Sequence, residues 1–391
     1  MTTSDPRSAT RDPGAAAPWL ITIDSTFVMA HPWHLLPLFL GAQVPPLESV
    51  KGLTLGIGTL PGWAFQPGLY DGVELSLTTS QVFGRNVGRR WRIQRSLVER
   101  YRSSGWPLIA FHACLEHPPV YFEHVALDLT SDDPRVKEGA VSQVEVAAML
   151  GSTAGAPAGR GGRPLLVFHT GRVPATISKR DRRAMIRRVA DNLRDAVRLA
   201  ETVRVTVAIE NLPRAFGELE HLGARRLEDL VEILADIGSE SAGITFDYGH
   251  ANTLCADDPE YIDRFLDVLG PHTEYLHVHY NGSHRPGFAE TLDPRSFEGY
   301  DQHLPLTRIP DDERARFMGH LRRVVLETPV GKRRIVGLEL PQRSIFNVKR
   351  ILPNGATPAE QIESVHILRR MLVECCGSGE RDRDSGAGPG R

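Results

Sequence analysis

Val205–Asn211 reads VTVAIEN, an unbroken run of β-branched and apolar residues that ends in a carboxylate and an amide. A short apolar run of this kind is the mark of a strand buried on both faces, as in parallel sheets. The pattern recurs along the chain. Pro107–Ala113 ends in Phe111-His112 and Pro164–Gly171 in Phe168-His169. Ala242–Gly249 ends around Asp247 with His250 just beyond, Thr273–Asn281 carries His277 and His279, and Arg334–Leu340 carries Glu339. Gly52–Leu60 (GLTLGIGTL) and Gly72–Leu77 (GVELSL, with Glu74) bring the number of runs to eight. Stretches with apolar residues at three- and four-residue spacing lie between them and read as helices: Asp181–Glu201, Leu227–Ile237, Pro259–Leu269 and Asp311–Glu327. Alternating strands and helices predict parallel strands joined by right-handed crossovers, and eight such units predict a closed (β/α)8 barrel of the α/β class.

The chain has 391 residues, 41% of them hydrophobic, enough for one large barrel with insertions. A formal charge of −2 gives no global field that would draw the protein to nucleic acid or an anionic membrane. Four cysteines, Cys114, Cys255, Cys375 and Cys376, show neither zinc-finger spacing nor a disulfide framework, which fits a reducing, cytoplasmic setting. No apolar run approaches membrane-spanning length and no signal peptide is evident. The expected organisation is a disordered tail over 1–18, an N-terminal extension over 19–50 packed on the barrel, the barrel over 51–376 and a second disordered tail over 377–391. The extension contains a further strand-like run, Leu20–Phe27, and would either cover the pocket or mediate dimerisation. Ser152–Arg163, rich in Gly, Ala and Arg, reads as a flexible turn before the fourth strand.

Groups at the C-terminal ends of parallel barrel strands converge on one face. The imidazoles and carboxylates above therefore become neighbours, and such a mixture of nitrogen and oxygen donors suits Zn, Mn, Co or Fe better than Ca. Glu210 and Glu339 are the most telling, because a carboxylate inside an apolar strand is costly unless it is paired or metal-bound. Asp247 and His250 are three apart where a strand turns into its loop, so one backbone segment can present both. His277 and His279 share one side of a continuing strand, and only one of them need be a ligand.

Several segments carry a resemblance to the xylose-isomerase-like TIM barrel superfamily, which includes sugar and sugar-phosphate isomerases and epimerases and the endonuclease IV family. FHACLEHP, LLVFHTG, AIENLP, FDYGHAN, HVHYNGS, YDQHLPL and VGLELP follow the order of the superfamily's motifs from Gly52 to Leu340. The resemblance implies a metal core of Glu210, Asp247, His279 and Glu339. The additional ligands of endonuclease IV relatives fall on His112, His169, His250, Asp301 and His303. His279 is preferred over His277 because His279-Tyr280-Asn281 matches the His-x-Asn motif. After His303 the chain reads LPLTRIPDDE where relatives continue into a Gly-rich turn, so the pocket-shaping loop differs.

The resemblance implies one to three divalent ions (Zn, Mn, Co, Mg or Fe) and a small-molecule substrate, with no membrane association and the formation of a homo-oligomer left open. The first expectation is an isomerase or epimerase of a sugar, sugar phosphate or related polyhydroxy carbonyl compound. Glu210 and Glu339 would exchange a proton through a metal-stabilised enediolate, while Asn211, His277, Arg285 and Arg85 contact substrate. The alternatives are a multinuclear zinc phosphoesterase of the endonuclease IV type and an iron-dependent oxidative or rearranging enzyme. Nucleic-acid binding would rest on Arg85–Arg95 (RNVGRRWRIQR), whose arginines are more simply read as a solvated helix face.

Overall fold

The computed structural model describes residues 20–24 (backbone), 71–77, 93, 95, 98–99, 108–113, 127–151, 163–214, 218–285, 301–327, 335–340 and 356–384. Within them, eight parallel strands close into a barrel: β1 (Leu20–Asp24), β2 (Gly72–Ser76), β3 (Leu108–His112), β4 (Leu165–Phe168), β6 (Thr206–Glu210), β8 (Ala242–Asp247), β9 (Thr273–Val278) and β10 (Ile335–Leu338). Closure is made by β1, which pairs with β10 on one side and β2 on the other. The remaining two strands, β5 (Arg172–Pro174) and β7 (Leu219–His221), form a small antiparallel ribbon. The described helices are α1 (Pro134–Gly151), α2 (Lys179–Val203), α3 (Leu227–Ile237), α4 (Tyr248–Leu254), α5 (Tyr261–Leu269), α6 (Asp311–Glu327) and α7 (Pro358–Asp384).

Two boundaries differ from expectation. The strand-like run at Leu20 is the first barrel strand, not part of an extension on the outside, and it occupies the place beside β2 expected of Gly52–Leu60, which lies outside the described residues. Both runs alternate apolar and small residues, and only the pairing of Leu20 with Ile335 distinguishes them. At the other end α7 continues to Asp384, into the segment expected to be a tail. Residues 1–19, the rest of the expected extension, 152–162 and 385–391 lie outside the described residues.

The two-residue alternation of a strand builds the site. Val207 and Ile209 of β6, Ile244 and Phe246 of β8, Leu276 and Val278 of β9, and Val336 and Leu338 of β10 belong to the large core shared with the helices. Their neighbours turn inward. Leu165, Val167, Ala208, Tyr275 and Ile335 form a separate buried cluster that fills the barrel. One step further along the same strands, the inward positions are Glu210, His277 and Gly337, so apolar filling gives way to polar groups toward the C-terminal mouth.

Helix ends are set by local chemistry. Ser178 caps α2 by accepting from Asp181 N at 3.1 Å, and Arg204 ends it with a left-handed φ of 60°. Gly238 closes α3 in the same conformation. Arg182, buried on α2, bonds Glu220 of β7 and Asp229 of α3, which holds the ribbon and α3 together. Arg183 pairs with Glu232 and Asp236, so this basic stretch serves helix packing.

Candidate metal centre

The turn from β8 into α4 shows how the sequence constructs the site. Asp247 ends the strand and caps the helix, its Oδ1 accepting from His250 N at 2.6 Å. The same bond places the His250 ring beside the Asp247 carboxylate. Gly249 lies between them for a steric reason: a Cβ there would sit 2.1 Å from His279 Cε1 and 2.4 Å from Nε2. Only glycine allows the first turn of α4 to pass so close to that imidazole.

Nine residues expected as ligands converge. His112, His169 and Glu210 form one group; Glu210, Asp247, His250 and Glu339 a second; His250, His279, His303 and Glu339 a third, each with ligand atoms within 4.8 Å of one another. Asp301 completes the set by bridging His250 Nε2 (3.2 Å) and His303 Nε2 (2.7 Å) through Oδ2. Glu210, His250 and Glu339 are each shared between two groups.

The imidazoles are oriented from behind. His112 Nδ1–H donates to Ala113 O at 3.0 Å, His250 Nδ1–H to Asn211 O at 2.9 Å and His303 Nδ1–H to Glu339 O at 3.1 Å. A backbone carbonyl at Nδ1 fixes the tautomer and leaves Nε2 facing the cluster, the arrangement typical of metal-ligating histidine. His303 reaches its place by adopting a φ of 44°, a left-handed conformation that carries strain in a non-glycine residue. The chain then pairs Leu304 with Tyr280 through two 2.8 Å bonds, so the loop that lacks the expected glycines is held by a β-bridge.

The residues fit a divalent ion. Asp247 Oδ2, Glu339 Oε2 and both ring nitrogens of His279 are buried without a hydrogen-bond partner. Leaving such atoms unsatisfied is costly, and divalent cation binding at this cluster would satisfy the carboxylate oxygens and one nitrogen of the His279 ring. Charges point the same way. Burial opposes ionisation of Glu210, but the charge of His277 and bonds from His112, His169 and His277 hold it well below the usual carboxylate range. Asp301 is likewise held low against burial by His303 and His250. Burial disfavours the charged imidazoles too, yet Glu210, Glu74 and Glu339 push His112 up to about 10, and Asp301 and Glu339 do the same for His303. Glu339 is the exception among the carboxylates: burial pushes it up to about 7.

The expected substrate contacts are placed otherwise. Asn211 spends its amide on Asp247, donating to its O at 2.9 Å and accepting from its N at 2.7 Å. It is a clamp for a ligand-bearing turn. His277 is fully buried and lies beneath the cluster, 2.7 Å from Glu210 Oε1 and 3.0 Å from Glu74 Oε2. Arg285 turns to α6, where its Nε donates to Glu313 Oε1 at 2.5 Å and a terminal nitrogen approaches Asp312. Arg85 and Arg89 lie outside the described residues. Sequence reasoning noted Glu74 without giving it a role, and passed over Tyr275, which donates to Glu74 at 2.7 Å. The available signal was an acidic residue at an inward position of a strand with no cation near it in sequence.

The sequence profile of the xylose isomerase-like TIM barrel family matches residues 66–343. An uncharacterized protein of Methanocaldococcus jannaschii is 30% identical over 151 residues, covering 35% of this chain and 48% of that protein. The chain thus spans about half the length of the curated relative it matches. Among solved structures, a D-tagatose 3-epimerase-like protein superposes with a TM-score of 0.55 at 18% identity, covering 92% of this chain and 99% of that one. An L-ribulose 3-epimerase gives 0.54 at 14% identity, covering 95% and 100%. A D-allulose 3-epimerase from Methylomonas sp. in complex with D-allulose gives 0.51 at 12% identity, covering 91% and 99%. At these identities the likeness is one of fold.

Proposed function

The chain belongs to the xylose isomerase-like TIM barrel family, and from that premise we propose that it is a divalent-metal-dependent isomerase or epimerase of a sugar, sugar phosphate or related polyhydroxy carbonyl compound. One observation carries the reading. Glu210, at the end of β6, and Glu339, just past β10, border the same candidate ligand group although β8 and β9 separate their strands in the barrel. Two carboxyl groups brought to one group of donors from separate strands are suited to the two halves of a proton exchange.

Glu210, as the carboxylate, takes the proton from the carbon next to the substrate carbonyl. Glu339 donates a proton to that carbon from the other side and so inverts it. Asn211 and the cap on α4 keep Asp247 fixed throughout, and the apolar cluster below the site excludes water from the barrel side. Glu210, Asp247, His279 and Glu339 would hold a divalent ion, which would supply Lewis-acid stabilisation for negative charge developing on substrate oxygen. His/carboxylate donors fit Zn, Mn, Co or Fe, and Mg less closely.

The test is solvent exchange. Metal-loaded protein is incubated with a panel of ketoses and their phosphates in D2O, and NMR follows deuterium at the carbon beside the carbonyl together with the appearance of the epimer. Exchange that is lost in Glu210→Gln and Glu339→Gln supports the reading; absence of exchange with every substrate sinks it.

A second reading, metal-assisted phosphoester hydrolysis, is favoured by the division of the ligands into three overlapping groups where one ion would need only four donors. Metal content distinguishes the two. Two or three zinc ions per chain with turnover of a phosphodiester favour hydrolysis, and a single ion favours epimerisation.

A further inference from the structure

Beneath the nine ligands lies a hydrogen-bonded chain that none of the expected roles uses. Tyr275 OH donates to Glu74 Oε2 at 2.7 Å; His277 Nε2 lies 3.0 Å from the same oxygen, and His277 Nδ1 lies 2.7 Å from Glu210 Oε1. Glu74 is 1% exposed and Tyr275 1%, while His277 and Glu210 are completely buried, so the chain runs through the dry interior of the barrel. It joins β2, β9 and β6, strands that are not all neighbours in the sheet. Gly337 on β10 makes room for it, since a Cβ there would lie 2.3 Å from the Tyr275 hydroxyl oxygen.

Both nitrogens of His277 lie within hydrogen-bond distance of carboxyl oxygens, so the ring spans Glu74 and Glu210. Glu210 Oε1 is therefore held from below. Its Oε2 faces His112 Nε2 at 3.3 Å and His169 Nε2 at 3.1 Å on the other side. The carboxylate plane is thus pinned at one oxygen by His277 while the other is turned to a candidate ligand group. Glu210 belongs to two such groups, so its orientation decides how both are presented. A purely apolar filling at this level would be less costly than a buried carboxylate, imidazole and hydroxyl, which argues for a use.

We infer that Glu74 is a positioning residue for the metal centre, acting through His277 to fix the carboxylate of Glu210. The inference rests on the metal-centre part of the proposed function and holds for either chemistry. Carboxylates that support a ligating group from behind typically contribute about 10- to 100-fold to metal affinity.

The test measures affinity for Zn²⁺ and Co²⁺ by competition with a chromophoric chelator, and the Co²⁺ absorption spectrum, in the full-length chain and in E74Q, H277Q and the double variant. Thermal melting of each metal-free protein reports folding. The expected result is a loss of about 10- to 100-fold in affinity in E74Q with an altered Co²⁺ spectrum, a similar loss in H277Q, and no further loss in the double variant, because the two act in series. Wild-type affinity and spectrum in folded E74Q, or losses that add in the double variant, overturn the role of Glu74. If E74Q does not fold, H277Q carries the test: an unchanged affinity and spectrum there overturns the relay. Failure of the unaltered chain to bind either ion overturns the metal centre itself, and the role of Glu74 with it.

Discussion

Replacing Gly249 by alanine tests whether the close approach of α4 to His279 is a requirement of the metal centre. The added Cβ would lie 2.1 Å from His279 Cε1, where ordinary contact begins at 3.4 Å, so the imidazole must retreat by about 1.3 Å or the helix must move. The ring has little room, being stacked on His303 with centroids 4.1 Å apart. Metal-binding constellations tolerate displacements of about 0.5 Å, so Nε2 leaves its ligand position. Overpacking of this kind costs about 1–3 kcal/mol in the metal-free protein. The larger effect falls on the ion. At a concentration one hundred times its dissociation constant an ion stabilises the fold by about 2.7 kcal/mol, and a hundredfold weaker site retains about 0.4 kcal/mol at the same concentration. Melting curves of the wild type and G249A, with and without Zn²⁺, separate the two contributions. Gly282→Ala is the control, because a Cβ there meets its nearest neighbour at an ordinary 3.4 Å. A metal-dependent gain in G249A equal to that of the wild type would refute the reasoning.

Further outcomes are expected at the same centre. Glu210→Gln should lower turnover by about 10²-fold or more while the chain remains folded, as read by steady-state kinetics beside circular dichroism; full activity would remove Glu210 from the site. Asn211→Ala should destabilise the protein by about 1–3 kcal/mol through loss of its two bonds to Asp247, and a change confined to KM with stability intact would restore Asn211 as a substrate contact. In the metal-free protein His112 and His303 are raised from 6.5 to about 10, so their contribution to stability is complete below about pH 6.5 and disappears as pH rises through 10. Glu339, raised to about 7, adds a loss of the same sign from about pH 4.5 upward. The melting temperature of the metal-free protein should therefore fall over this range, and a rise would contradict the assignment. Because those imidazoles must shed protons to bind an ion, titration calorimetry in buffers of different ionisation enthalpy should record proton release on metal binding.

Most of the candidate ligands were legible in the sequence because they sit at or near the end of an apolar run, and a barrel brings such ends together whatever its loops do, whereas Asp301 and His303 end no such run and came from the resemblance alone. The β-run preceding Asp24 was harder to place: LITID and GLTLGIGTL are equally strand-like, and only long-range pairing with β10 selects the former. β5 and β7, three residues each, are too short to show periodicity. The expected roles of Asn211, His277 and Arg285 depended on proximity in sequence to ligands. Their hydrogen-bond partners, Asp247, Glu74 and Glu313, come from other elements, and residue type alone cannot say whether a polar side chain faces substrate or the protein behind it. Glu74 is the converse case, a residue that looks merely anomalous on its strand until His277 arrives from across the barrel.

Closure by β1 has a consequence for how the molecule comes into being. The first strand of the barrel pairs with its last among the described residues, Leu20 with Ile335 and Ile23 with Leu338, while also covering the edge of β2. During synthesis on the ribosome β10 emerges after the other seven barrel strands, which can associate only as an open sheet until it is made. Such non-local pairing slows folding. Until it is made, β1 and the last strand in place each offer unpaired backbone groups to other chains, and a product begun after Asp24 would leave β2 and β10 as permanent edges.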